Sequence, residues 1–156
     1  MNGTVETRLR ELGLALPETP NPVANYVPFI ISGNLLFISG QIAKVADGTV
    51  VTGTLGADLA IEAGQEAARY CALNILAQTK AALGSLDRIG RILRLTGFVS
   101  ATANFRDHPK VMNGASDLMV HVLGERGRHT RVAVGVSGLP MGSAVEIDAT
   151  IEIAAS

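Results

Sequence analysis

The sequence is poor in the features that mark secreted and membrane proteins. Its 156 residues include one cysteine, Cys71, so no disulfide can form within the chain, as is usual in a reducing compartment. No apolar run approaches the roughly 18 residues of a membrane-spanning helix. The first residues read as a short amphipathic helix and not as a signal peptide. We therefore expect a soluble, cytoplasmic protein with no membrane partner.

Charge, aromatic residues and cofactor patterns are equally scarce. The 13 basic and 14 acidic side chains give a formal net charge of −1, and aromatic residues make up 4%. A binding track for nucleic acid is therefore not expected. The three histidines have no metal-ligand spacing, and the glycine-rich segment 53–64 lacks the phosphate-loop lysine and the dinucleotide-binding pattern. We predict no metal and no cofactor.

The residues that are present predict a regular order of elements. Hydrophobic residues make up 47% of the chain, enough for a folded core, and the length suits one domain over residues 1–156. We predict an N-terminal helix and a Pro-rich connector within 1–25 and a core over 26–154. The core would contain a hairpin at Ser32-Gly33-Asn34, a short strand at 50–52, helices over 59–83 and 107–125, a strand between those helices, and two closing strands. This order predicts an α+β fold in which two helices cover one face of a sheet.

The closing segment, "GRHTRVAVGVSGLPMGSAVEIDATIEI" (residues 127–153), contains two alternating runs around a Gly/Pro turn, which predicts a hairpin. In the second run an apolar residue occupies every other position, and in the first run the core set would be Val132, Val134 and Val136. Arg131 and Glu146 would then share the face away from the helices. Small residues beside Arg131 would leave space for a carboxylate, which fits the donor fork of a guanidinium.

This polar face has a simpler interpretation. Polar faces of antiparallel sheets are most often solvated, or carry cross-strand ion pairs that contribute little to stability. Alternation alone favours that interpretation over a binding site.

Three stretches resemble one known family. They are "NLLFISGQI" (34–42), "FRDHPKVMNGASDLM" (105–119) and "HTRVAVGVSGLPMGSAVEIDA" (129–149). Together they resemble the RidA/YjgF family of enamine/imine deaminases, also described as endoribonuclease L-PSP-like, and in particular a longer RidA-like subfamily. The resemblance implies a two-layer, chorismate-mutase-like fold with a mixed sheet, and a homotrimer with clefts between its subunits.

The resemblance also implies a reaction. A small, carboxylate-bearing enamine of the 2-aminoacrylate type, or its imine tautomer, would be hydrolysed to a 2-oxo acid and ammonia without a cofactor or metal. Arg131 would hold the carboxylate, and Glu146 would position water, with Tyr26 as the third catalytic residue. The substrate-binding residues would be Ser39, Gly40, Asn113 and Ala133. Many members carry Ser and Cys where this chain has Val132 and Ala133, so the implied cleft has no thiol.

Two other functions stay open for a chain with this resemblance. One is a non-catalytic trimeric module that binds a small carboxylate or a protein in the same cleft. The other is endoribonuclease activity, which ranks last because the chain lacks a basic stripe and has few aromatic residues. Turnover of an imine separates the enzyme from the module.

Overall fold

The fold is described by a computed structural model over residues 3–19 and 24–156, so residues 20–23 of the predicted connector lie outside the described residues, as do residues 1–2. The described part forms three α-helices and five strands: α1 (Thr4–Glu11), β1 (Phe29–Ser32), β2 (Leu35–Ile42), α2 (Ile61–Leu83), β3 (Ile89–Ser100), α3 (His108–Leu123), β4 (Thr130–Val136) and β5 (Val145–Ile153). The predicted α+β fold is confirmed. The predicted strand at 50–52 is wrong, since this segment forms only isolated bridges.

The five strands form one mixed sheet in the order β1-β2-β5-β3-β4. β1 and β2 form the predicted hairpin, with Gly33 in the turn at φ 61°, a left-handed conformation that glycine adopts without strain. β5 runs antiparallel to both β2 and β3, whereas β4 runs parallel to β3 at the sheet edge.

The predicted hairpin between the two closing strands is therefore wrong, because β4 and β5 are not neighbours. α3 forms the crossover between the parallel strands β3 and β4, as parallel pairing requires a long connection. Residues 137–144 then carry the chain past β3, so that β5 fills the gap between β2 and β3.

Helices α2 and α3 cover one face of the sheet. α2 is rich in alanine and ends at Gly84, which has φ 80°, as a helix C-terminus often requires. The core between the two layers holds alternate residues of β5 and β3, including Ile147, Ile151, Leu95 and Val99, all fully buried. None of the helices in the described part of the chain combines the length and apolar character needed to cross a membrane.

The predicted orientation of β4 is wrong as well. Arg131 is paired with Leu95 and Ala133 with Gly97, so this set faces the helices, while Val134 points outward and is 40% exposed. Small residues are needed on the inner side because α3 packs closely there. A Cβ on Gly97 would overlap Met112, and one on Gly135 would lie 2.5 Å from His108 Nε2. The space that Gly135 was expected to leave near Arg131 is thus filled by His108 of α3.

Candidate functional site

Arg131 lies on the helix-covered face, where α3 passes over the edge strand β4. Its Nη1 atom donates hydrogen bonds to Asn113 Oδ1 at 2.9 Å and to Ser116 Oγ at 3.1 Å. Those two residues are three apart on α3 and so lie on the same side of the helix. Within residues 3–19 and 24–156, the Nε and Nη2 atoms of Arg131 have no hydrogen-bond partner. One edge of the donor fork is therefore held, and the other makes no hydrogen bond within the described residues.

His129 extends this group of side chains. Its Nε2 atom lies 2.9 Å from Ser116 Oγ, and its Nδ1 atom lies 2.6 Å from the Gly127 carbonyl oxygen. Burial lowers the pKa of His129; the hydrogen bond to Gly127 opposes this shift, and the charge of Arg131 adds a smaller lowering effect. His129 is therefore neutral at physiological pH. We call Arg131, Asn113, Ser116 and His129 the arginine cluster.

The arginine cluster contains two residues that sequence reasoning missed. Ser116 and His129 belong to no recognised functional motif, and His129 lacks the sequence spacing of a metal ligand. Two spacings nevertheless indicate them. His129 and Arg131 are two apart at the start of a strand, and Asn113 and Ser116 are three apart on a helix; both spacings place side chains on one side of their element.

A second group of predicted residues lines a cavity of about 690 Å³ at a bulge in β2. Ser39 and Gly40 together oppose the single residue Asp148 of β5, since Ile38 pairs with Ala149 and Gln41 with Ile147. Bulges of this kind bend a strand and redirect its side chains. Tyr26, which is 61% exposed, lines the same cavity. We call this feature the bulge cavity.

Glu146 lies beside the bulge cavity on the face away from the helices. It pairs with Phe98 on one side and Ile42 on the other. A Cβ on Gly40 would lie 2.9 Å from the Glu146 carboxyl carbon and from Oε1. A larger residue at position 40 would therefore clash with this carboxylate. Burial, and to a lesser extent the neighbouring charge of Asp148, raise the pKa of Glu146. A carboxylate with a raised pKa is a stronger base near neutral pH.

The predicted site residues thus form two groups within one chain. Arg131 and Asn113 belong to the arginine cluster, while Tyr26, Ser39 and Gly40 line the bulge cavity with Glu146 beside it. Ala133 faces α3 and packs against the core. The expectation that Arg131 and Glu146 share a face is wrong. From two strand spacings across and three residues along, their Cα atoms are about 14 Å apart, and their side chains point to opposite sides of the sheet.

A metal centre is not formed by either group. In the described ranges, no three His, Cys, Asp or Glu side chains come close enough to hold a metal ion.

Comparison with known proteins decides the family. The family model described as "YjgF/chorismate_mutase-like, putative endoribonuclease" matches residues 6–152. This chain belongs to the YjgF/RidA family. The sheet order and the two covering helices are those of its chorismate-mutase-like fold.

Similar members of the YjgF/RidA family differ in how much is known of them. Protein TCP17 of Trypanosoma cruzi is 48% identical over 97% of this chain and 96% of its own length. A protein of unknown function from Agrobacterium tumefaciens has a solved structure with TM-score 0.90 and 51% identity, covering 96% of this chain and 94% of that one. A second solved structure, E. coli TdcF with bound serine, has TM-score 0.61 and 27% identity, covering 88% of this chain and 98% of that one.

Proposed function

We propose that this YjgF/RidA-family chain forms a homotrimer that hydrolyses 2-imino acids, and their 2-aminoacrylate-type enamine tautomers, to 2-oxo acids and ammonia. The arginine cluster of one chain would face the bulge cavity and Glu146 of a neighbour, and the substrate would lie between them. The observation that carries this proposal is the guanidinium of Arg131, which is held through Nη1 while its Nε and Nη2 atoms make no hydrogen bond in the described residues. A fork presented in this way suits a carboxylate.

The outer face of the sheet supports the assembly. It carries exposed apolar side chains, among them Ile30 (58%), Phe37 (40%) and Val134 (40%), and none of the helices in the described residues covers it. The same face carries Glu146, so a neighbour packed there would enclose the carboxylate. Apolar surface of this kind, rimmed by polar groups, is typical of a protein interface.

The proposed chemistry needs little beyond placement. The imine carbon is electrophilic, so water positioned and deprotonated by Glu146 forms a C–O bond to it. The carbinolamine then loses the C–N bond, and the nitrogen leaves as ammonia with the protons returned to it. Arg131 holds the carboxylate throughout, and holding both reactants in register supplies much of the rate gain. The serine bound to TdcF is an amino acid with the same carboxylate group.

The test is a coupled assay in which an amino-acid oxidase generates a 2-imino acid and 2-oxo acid formation is followed above the spontaneous rate. We expect Arg131→Ala to lower kcat/KM by about 30-fold to several thousand-fold, since a buried charge loses its partner. Arg131→Lys should rescue only in part, because an ammonium lacks two parallel donors. Glu146→Gln should lower kcat while leaving 2-oxo acid binding nearly intact.

Arg128→Ala is the matched control, since Arg128 is exposed and pairs only with Glu125 in the described residues. Unchanged turnover in Arg131→Ala would refute the proposed role of the arginine. A parent protein that binds a 2-oxo acid in calorimetry but does not accelerate imine hydrolysis would instead be the non-catalytic module.

A further inference from the structure

Three members of the arginine cluster and the main-chain carbonyl of Gly127 form a continuous series of hydrogen bonds. The series begins at the main-chain carbonyl of Gly127, passes through the imidazole of His129 and the hydroxyl of Ser116, and ends at Nη1 of Arg131. The three bonds measure 2.6, 2.9 and 3.1 Å. They tie the segment before β4, the middle of α3 and the strand β4 to one guanidinium.

The chemistry of the groups fixes the direction of every bond. A carbonyl oxygen only accepts, so Nδ1 of His129 carries a proton and donates it to Gly127. In the neutral ring Nε2 is then an acceptor, and the hydroxyl of Ser116 donates to it. With its proton committed to His129, Ser116 turns its lone pairs toward Arg131 and accepts from Nη1. Because Asn113 also accepts from Nη1, that nitrogen is held at two points.

We propose that Ser116 and His129 are positioning residues that fix the Arg131 guanidinium with its open edge toward a substrate carboxylate. The inference deepens the proposed function and rests on it. Without the acceptor at His129, the Ser116 hydroxyl can donate elsewhere, and its lone pairs are no longer fixed toward Nη1. The arginine then keeps its charge but loses one of its two fixed contacts. Binding of a carboxylate to two nitrogens must then also immobilise the guanidinium, which weakens the binding.

The expected kinetic signature separates positioning from a general structural role. A carboxylate contact is the same in substrate and transition state, so its loss raises KM and leaves kcat nearly unchanged. We expect Ser116→Ala and His129→Leu each to raise KM for the imine by about 5- to 20-fold, with kcat within about twofold of the parent. His129→Gln keeps an acceptor near the position of Nε2 and should stay close to the parent.

Binding of 2-oxobutanoate, measured by calorimetry on folded trimeric protein, provides the decisive comparison. The series contains the parent, Arg131→Ala, Ser116→Ala, His129→Leu, His129→Gln and the double variant Ser116→Ala/His129→Leu. His121→Leu is the control for loss of a histidine, because His121 lies on α3 in a different groove, formed with α2. The inference is supported if Ser116→Ala and His129→Leu each weaken binding by about 5- to 20-fold in Kd. The double variant should then bind no more weakly than either single variant, because both residues belong to one series of hydrogen bonds.

Two outcomes overturn the inference in different ways. If Arg131→Ala weakens binding while Ser116→Ala and His129→Leu bind like the parent, the positioning role of Ser116 and His129 is wrong and the proposed function stands. If Arg131→Ala itself binds like the parent, both the proposed carboxylate site and this positioning role are wrong. Nitrogen NMR of the parent protein with labelled histidines is a further check, and it does not depend on any variant folding. Protonation of His129 at Nδ1 supports the inferred hydrogen bonds, and protonation at Nε2 contradicts them.

Discussion

Arg131 and Glu146 lie on opposite faces of the same sheet, with α3 over the first and, among the described residues, no helix over the second. Arg131 is paired through β3 with the inward-facing Leu95, and Glu146 with the outward-facing Phe98. No rotamer of either side chain crosses a sheet whose core is filled. A site that uses both residues must therefore take them from two chains.

Complementation between two inactive variants is the most direct consequence. Arg131→Ala and Glu146→Gln should each lose most imine hydrolysis, but co-expressed in equal amounts they should recover about a quarter of the parent activity, because random assembly places an intact Arg131 opposite an intact Glu146 in about one cleft in four. Activity of purified mixed trimers gives the answer. Mixed trimers no more active than the separate variants would place both residues in one chain.

The oligomeric state depends on the outer face of the sheet. The parent should scatter light as a particle of three times the 16.2 kDa chain mass. Val134→Arg should dissociate it, since an unpaired arginine buried at an interface costs several kcal/mol. Val120→Arg is the matched control, because Val120 on α3 is equally exposed at 40% and should stay trimeric. A parent protein that is monomeric at micromolar concentration would contradict the prediction.

Glu146→Gln should stabilise the protein in a defined pH window. The pKa of Glu146 is raised, mainly by burial, so the folded chain holds this proton more tightly than the unfolded chain does. Ionisation therefore lowers the free energy of unfolding at pH above the folded pKa, and near or below 4.5, the unperturbed value, the cost disappears. The melting temperature of Glu146→Gln should exceed that of the parent at pH 8, with the difference shrinking towards pH 4. A difference that is constant across this range would argue against the shift.

Cys71 should be dispensable for activity. It is fully buried in α2, its thiol donates to the Val145 carbonyl at 3.4 Å, and burial raises its pKa well above the usual value. Cys71→Ala should lower the free energy of unfolding in urea by about 1 kcal/mol, as small core truncations do, and leave kcat/KM unchanged. A folded Cys71→Ala protein without activity would mean that the site lies elsewhere.

The close approach of α3 to the sheet depends on Gly97. Gly97→Ala would overlap the buried side chain of Met112, so it should lower the free energy of unfolding by about 1–3 kcal/mol. Gly138→Ala is the control, since nothing lies within 4 Å of a Cβ there. Urea titration of both variants tests the prediction, and equal stability of the two would show that Met112 moves aside without cost.

The elements themselves could be predicted from the sequence because local signals mark them. An alanine-rich run ended by Gly84 gives α2, and Gly33 gives the first hairpin. The pairing of the closing strands could not be predicted in this way, because it does not depend on residues that are close in sequence. A Gly/Pro turn such as residues 138–142 is compatible with a hairpin, and only the vacancy between β2 and β3 determines where β5 goes.

The prediction of which residues of β4 face the helices was wrong for a different reason. Both of its alternating sets are apolar, and hydrophobicity favours the valines over Ala133 and Gly135 for the core. Packing reverses that choice, because α3 lies too close for a larger side chain. The same reversal moves Arg131 to the inner face, beside Asn113 and Ser116. The bulge at Ser39 and Gly40 likewise follows from pairing across the sheet, which periodicity within β2 does not reveal.

The central place of β5 also sets the order in which the molecule is completed during synthesis. β2 and β3 leave the ribosome with a strand-wide opening between them, and the backbone groups along that opening stay unpaired until residues 145–153 emerge. The last of these five strands to be made is thus the one that joins the two halves of the sheet. Folding has to wait for contacts between distant parts of the chain, which makes it slow by its topology, and until then the open strand edges are sites where a chaperone or another nascent chain can bind.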